Sequence, residues 1–340
     1  MQKPVANISQ EYIFARMHGV WANAAKDSRL SQLVSAGKSD GILRFLEERK
    51  LGAASREQFH QNLILREINI LTNISTQLDE KTAAFYRAFM ERRYFENLQV
   101  LLHYRFFPER EADIDHLLVN APCLPEMAAA ELLSLKSEDA FVLALHPAIY
   151  PSEIQEIVKK LHEDKDIMFA EYALDRLAYR NFLTHAKRLP HVVREAAMSL
   201  VQTEIDVVNL CMLLRIVRTY RLDEKTVKDI WIDGGTLLPD VLTELSRLKT
   251  GDEFLSKLPA TYREQLQPLA DEDLHQSENA LWKMLYRKAK RCFGDYSRIE
   301  LSIVAFPFLQ HFETLNLGRI YEGIHFEMQP HDIMEMMICS

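Results

Sequence analysis

The stretch HVVREAAMSLVQTEIDVVNLCMLLRIVRTYRL, residues 191–222, keeps apolar residues three and four apart from end to end. That spacing collects them on one face of an α-helix, and at 1.5 Å per residue the helix would be roughly 45 Å long. Two other segments show the same pattern: residues 79–107, and residues 296–327 with a kink expected at Pro307. Each of the three long segments carries the dipeptide Asn-Leu, as Asn97-Leu98, Asn209-Leu210 and Asn316-Leu317. The dipeptides stand 112 and 107 residues apart.

The offset of 107 recurs elsewhere. EYALDRLAYR at 171–180 is echoed by ENALWKMLYR at 278–287, and an acidic residue precedes the dipeptide by three in both later copies, as Asp206 and Glu313. Matches that share one offset point to internal repetition. A further unit, two short helices joined through a Ser or Thr cap, begins at Leu30, Ala128 and Leu242, with Ser39, Ser137 and Thr250 as expected N-caps. The second and third of these units follow the first and second Asn-Leu helices, whereas the first precedes all of them. A ring resolves that order, because the N-terminal hairpin can then complete the unit that the C-terminal helix begins. The expected fold is all-α, with three similar helical domains (1–115, 116–228 and 229–340) about a pseudo-threefold axis.

Composition agrees with a helical chain. Only 10 of the 340 residues are Gly, too few for most turn-rich β architectures or Gly-looped nucleotide folds. A net charge of −8 and a pI near 5.9 argue against a phosphate-binding surface, and the basic knot YRKAKR at 286–291 reads as a solvated helix face, so no nucleic-acid partner is expected. Cys123, Cys211, Cys292 and Cys339 lack any metal or redox spacing and read as reduced thiols of a cytosolic protein. No run approaches the ~18 apolar residues of a membrane span. Membrane association is therefore expected only through other proteins.

The order of motifs resembles a known family, the C subunit of V-type and A-type rotary ATPases, whose eukaryotic counterpart is called the d subunit. Its N-terminal Tyr-x-x-Ala-Arg helix is matched by YIFARMHGVW at 12–21, its acidic-x-x-Asn-Leu helix ending in Arg by DVVNLCMLLR, and the Gly-Gly turn that follows by WIDGGTLLP. Near the C-terminus the family shows Lys-Glu-x-Glu-x-x-Asn-Leu-Arg, where this chain has QHFETLNLG. Gln310, His311 and Gly318 depart from that pattern. The resemblance implies an all-helical funnel of three similar domains around a polar cavity, resting on the membrane proteolipid ring and receiving the foot of the central stalk. It further implies a non-catalytic part of an ATP-linked proton or sodium transporter, peripheral to the membrane.

The chemistry legible in the residues is sparse. Neither GxxxxGK[ST] nor GxGxxG occurs, and Gly234-Gly235 reads as the end of a helical segment. Glu272-x-x-His275 and Glu322-x-x-His325 resemble half of a di-iron site, which would need further carboxylates on facing helices. No catalytic residue, cofactor, metal or small-molecule substrate is expected. The three in-helix Asn residues ask for a reason, either a buried hydrogen bond or contact with a partner. Arg215 and Arg218 share a helix face and either pair with Asp206 or Glu204 or grip carboxylates of a stalk. Asn97, Asp206, Asn209, Arg215, Arg218, Glu313 and Asn316 are thus the candidate residues for binding the stalk. The alternatives are a helical-repeat scaffold for other proteins, which repeats near 110 residues disfavour, and a metal-dependent helical oxidase.

Overall fold

A computed structural model of the chain describes residues 10–36, 47–48, 51, 55–107, 114, 117–145, 147–216, 224–248, 251–267 and 274–338. Among them every regular element is a helix. Helices α1 (Gln10–Ala22) and α2 (Ser28–Ala36) precede the first long pair, α3 (Arg56–Ser75) with α4 (Glu80–Met90) and α5 (Arg92–Phe106). Three shorter helices, α6 (Ala129–Ser134), α7 (Glu138–Ala144) and α8 (Pro151–Asp164), lead to the second pair, α9 (Ile167–Arg188) and α10 (His191–Arg215). Four more, α11 (Glu224–Ile230), α12 (Pro239–Ser246), α13 (Gly251–Lys257) and α14 (Ala260–Leu266), lead to α15 (Leu274–Phe293) and α16 (Leu301–His325), before α17 (Pro330–Glu335).

Local chemistry fixes several helix starts. The carboxylates of Asp79 and Asp166 accept amides of the first turns of α4 and α9. The Ser137 hydroxyl accepts the Ala140 amide at 3.3 Å, so this expected cap is present, while Ser39 and Thr250 lie outside the described residues. Pro151, Pro239 and Pro330 occupy first helical positions, where a missing N–H costs nothing.

The long helices close a circuit. α3 packs on α4, α4 and α5 on α9, α9 on α10, α10 on α15, α15 on α16, and α16 returns to α3. The N-terminal helices complete that junction, since α1 and α2 lie against α16 and α2 touches α17. The apolar interior falls into three clusters. One joins Met17, Leu30 and Phe85 to Phe182, Phe306 and Phe308; a second surrounds Phe95, Phe141 and Leu174; a third surrounds Leu213, Trp231 and Phe254.

Two expectations need correction. Residues 79–107 form two helices, broken at Glu91, whose side chain is drawn to Asn181 of α9 at 2.8 Å. The break sends the consecutive Arg92 and Arg93 both inward, with 12% and 14% of their side chains exposed. In addition, α10 is long and apolar enough to cross a membrane by length and composition, yet most of that stretch is buried against its neighbours.

Pro307 sits inside α16, which runs unbroken on both sides of it. Proline has no N–H, so the Ile303 carbonyl four residues earlier loses its helical donor. The buried Tyr86 hydroxyl of α4 donates to that carbonyl at 2.7 Å. Tyr86→Phe is therefore expected to cost about 1–2 kcal/mol in urea unfolding, the penalty for an unsatisfied buried acceptor.

Candidate functional site

Each Asn-Leu asparagine clasps a stretch of its own chain. An Asn amide presents an NH2 donor beside a carbonyl acceptor, so it can pair with both the C=O and the N–H of one peptide-chain residue. Asn97 donates to the Val119 carbonyl and accepts its amide, both at 2.9 Å, and Asn209 does the same with Ile232, both at 2.8 Å. Asn316 accepts the Ile338 amide at 2.8 Å and leaves its Nδ2 unpaired. The clasped residues follow the asparagines by 22, 23 and 22 positions.

Three residues before each asparagine, a second anchor holds another segment. The Tyr94 hydroxyl accepts the Ala148 amide at 3.2 Å. Asp206 accepts the amides of Thr236 (2.9 Å) and Leu237 (3.0 Å), the Tyr262 hydroxyl (2.6 Å) and the Thr236 hydroxyl. The Gly-Gly turn permits this approach: Gly234 has φ +100°, and a Cβ on Gly235 would lie 2.1 Å from Asp206 Oδ1. Gly234-Gly235 sits in the loop beyond α11. Glu313 accepts the Ala25 amide at 2.9 Å and pairs with Arg66 at 3.2 Å, tying the N-terminal segment to α16.

Six residues after each asparagine, an ion pair joins neighbouring long helices. His103 faces Glu171 at 3.6 Å, Arg215 holds Glu278 through two bonds of 2.5 and 2.8 Å, and Glu322 meets Arg56 at 2.8 Å and also His60. Glu171 and Glu278 are the first residues of the echoed decapeptides, so the echo marks this pairing position. Gly318 lies against this pair, and a Cβ there would be in ordinary contact with the His60 ring at 3.4 Å. Among the described residues no group of three or more His, Cys, Asp or Glu side chains could hold a metal ion, and Glu272 lies outside them.

Five residues before each asparagine stand Arg92, Glu204 and His311, and all three line one cavity of about 220 Å³. Arg92 bonds Glu204 at 2.5 Å, His311 faces Glu67 at 3.4 Å, and Arg93 bridges Glu96 at 2.6 Å and Glu67 at 3.5 Å. Helices α3, α4, α5, α9, α10, α15 and α16 all contribute to the wall. A cleft of about 480 Å³ adjoins it, with Asp175, Val208 and Trp282 common to both.

Electrostatics inside are set by burial and pairing together. Burial alone would raise the Glu67 pKa, but the charges of His311 and Arg93 outweigh it and hold the carboxyl down at about 2. Burial likewise opposes the Arg92 charge, yet Glu204 more than compensates and the pKa rises. Asp175 has only the neutral Gln99 amide, at 2.7 Å, and burial pushes its carboxyl up to about 7. Burial also raises the Cys211 thiol far from the thiolate range, so it is no nucleophile.

Of the candidate residues, Asn97, Asp206, Asn209, Glu313 and Asn316 are buried and bonded within the chain, whereas Arg215 is about half exposed and held by Glu278 rather than by Asp206 or Glu204. Arg218 lies outside the described residues. The cavity charges Arg92, Arg93, Glu96, Asp175 and Glu204 were not among the candidates. A signal for two of them was present, because Arg92 and Glu204 share the register of His311 relative to the Asn-Leu dipeptide. In the basic knot, Lys288 turns inward to Thr203 at 2.6 Å while Arg287, Lys290 and Arg291 stay exposed.

The model of the ATP synthase (C/AC39) subunit family matches residues 13–336, a span that takes in every long helix and the three asparagines. The chain belongs to that family. The C subunit of an A-type ATP synthase from Methanocaldococcus jannaschii is 22% identical to it, over 96% of this chain and 86% of that protein. Its counterpart from Methanosarcina barkeri is 21% identical, over 92% of this chain and 88% of its own length. Within the C/AC39 pattern the departures have distinct settings. His311 faces Glu67 in the cavity, Gly318 packs beside His60, and Gln310 is buried with neither side-chain polar atom hydrogen-bonded among the described residues.

Proposed function

We propose that this chain is the non-catalytic socket of an A/V-type rotary ATPase, joining the central stalk to the membrane proteolipid ring and so linking ATP turnover to proton or sodium movement. The observation that carries the reading is the closed circuit of long helices around a charged cavity, in a chain of the C/AC39 family. Torque between a soluble shaft and a membrane ring needs a part that grips both and resists twist, and close-packed interiors deform little.

In this reading the chain is three similar units about a pseudo-threefold axis, with the N-terminal hairpin completing the last. The thrice-used clasp at Asn97, Asn209 and Asn316 supports that reading. These residues, with Asp206 and Glu313, then serve the stalk indirectly by fixing the segments around the socket, while the half-exposed Arg215 stands where a stalk can reach it. The protein is peripheral to the membrane on the cytoplasmic side, through its complex.

The test is gentle detergent extraction of membranes carrying a tagged copy at native level, followed by mass spectrometry. Recovery with stalk and proteolipid subunits at about one copy per complex is the expected result. Recovery without them would replace the socket with a scaffold for other proteins.

A further inference from the structure

The cavity and its adjoining cleft carry five carboxylates, Glu67, Glu96, Glu171, Asp175 and Glu204, against three arginines and His311, which faces Glu67. All three arginines are already committed. Arg92 is bonded to Glu204, Arg93 to Glu96 and Glu67, and Arg215 to Glu278, a sixth carboxylate. Asp175 receives no ion pair among the described residues, and its one side-chain bond comes from Gln99, which also spans to the Glu171 carbonyl at 3.0 Å. Glu204 is 2% exposed, and its Oε2 has no hydrogen-bond partner among the described residues. The site is thus short of positive charge at the point where the two spaces meet.

The route to that point is mostly apolar, with Glu171 and Arg215 as its charged members. The cleft is walled by Met168, Tyr172, Val208, Met212, Ile230 and Trp282, and Asp175 stands where it joins the inner cavity. A chain of methylenes suits such walls, and a compact ammonium with three donors suits a carboxylate at their end. A guanidinium would need a wider fork, and a metal ion more ligands than are gathered here. We infer that Asp175, with Glu204 and Glu96 beside it, is the seat for a single lysine side chain carried by the partner that enters the cavity. The partner surface at that point is accordingly basic. Only the identity of the partner rests on the socket reading; the seat itself rests on the cavity.

The experiment is carbodiimide coupling in the native complex of the tagged protein, which joins a carboxyl to a lysine amine in direct contact, followed by peptide mass mapping. An amide bond between Asp175 and a lysine of a copurifying chain is the expected result. A stalk protein as the donor keeps both readings, whereas a lysine from another protein keeps the seat and removes the stalk. Coupling at exposed carboxylates such as Glu156, with none at Asp175, overturns the inference. Asp175→Asn, which preserves shape and the Gln99 bond, is further expected to weaken binding of that partner about tenfold, and Asp175→Glu much less. Unchanged affinity in Asp175→Asn would overturn it equally.

Discussion

Replacing Arg92 with alanine is expected to lower unfolding stability by about 3–5 kcal/mol, the usual cost of leaving one member of a buried ion pair alone. Glu204 would be left without its partner in a site where it is 2% exposed and where Arg92 is its one ion-pair partner among the described residues. The guanidinium also lies 4.1 Å from the Phe89 ring centre and 5.3 Å from that of Phe182, so packing is lost with the charge. The double variant Arg92→Leu with Glu204→Leu separates the two effects. It removes both charges, fills similar volume, and is expected to recover most of the loss. Urea unfolding of Arg92→Ala, Arg92→Leu, Glu204→Leu and the double variant checks this. A double variant as unstable as Arg92→Ala would mean that packing, rather than the uncompensated carboxylate, sets the cost.

Asp175→Asn is expected to move stability the other way, by about 2–3 kcal/mol at pH 8, a figure reduced for the solvent that reaches the cavity. The sign follows from proton binding. Burial lifts the Asp175 carboxyl from its ordinary 3.8 to about 7 in the folded protein. Between those values the unfolded chain has released its proton while the folded one retains it, so stability falls as pH rises and the penalty is complete above pH 7. Asparagine carries no such penalty. The advantage of the variant over wild type should be fully present at pH 8 and shrink toward nothing as the pH falls below 4. A constant advantage across that range would assign the effect to something other than ionisation. Together with weaker partner binding, the pair of outcomes describes a carboxylate kept at the expense of the free protein's stability.

Much of the helical architecture was legible because it is written in spacing. The shared offset of 107 between the echoed decapeptides and the Asn-Leu dipeptides marks positions that the structure uses alike, Glu171 with Glu278 for ion pairs and Asn209 with Asn316 for clasps. The break at Glu91 was not legible, since the residues around it keep helical periodicity and the Glu91 side chain's partner, Asn181, is 90 residues away. The cavity was hidden for a related reason. Arg92, Glu204 and His311 share a register but no chemistry, one basic, one acidic and one a histidine, so a search for repeated residue types passes over them. Arg215 was visible as a charge on an exposed face, whereas its partner, 63 residues away, was visible only as part of an echo.

The junction of α1 and α2 with α16 has a bearing on how the chain is made. The Ala25 amide waits for a carboxylate 288 residues further on, and Tyr86 for a carbonyl 217 residues on. At about 5–20 residues per second, a ribosome needs roughly 15–60 s to supply Glu313 after Ala25 has emerged. Through that interval Met17, Trp21 and Leu30, all buried at the end, lack the helix that covers them. Closure of the molecule is therefore a late, non-local event in biosynthesis, and until then the newborn N-terminal segment keeps apolar surface uncovered.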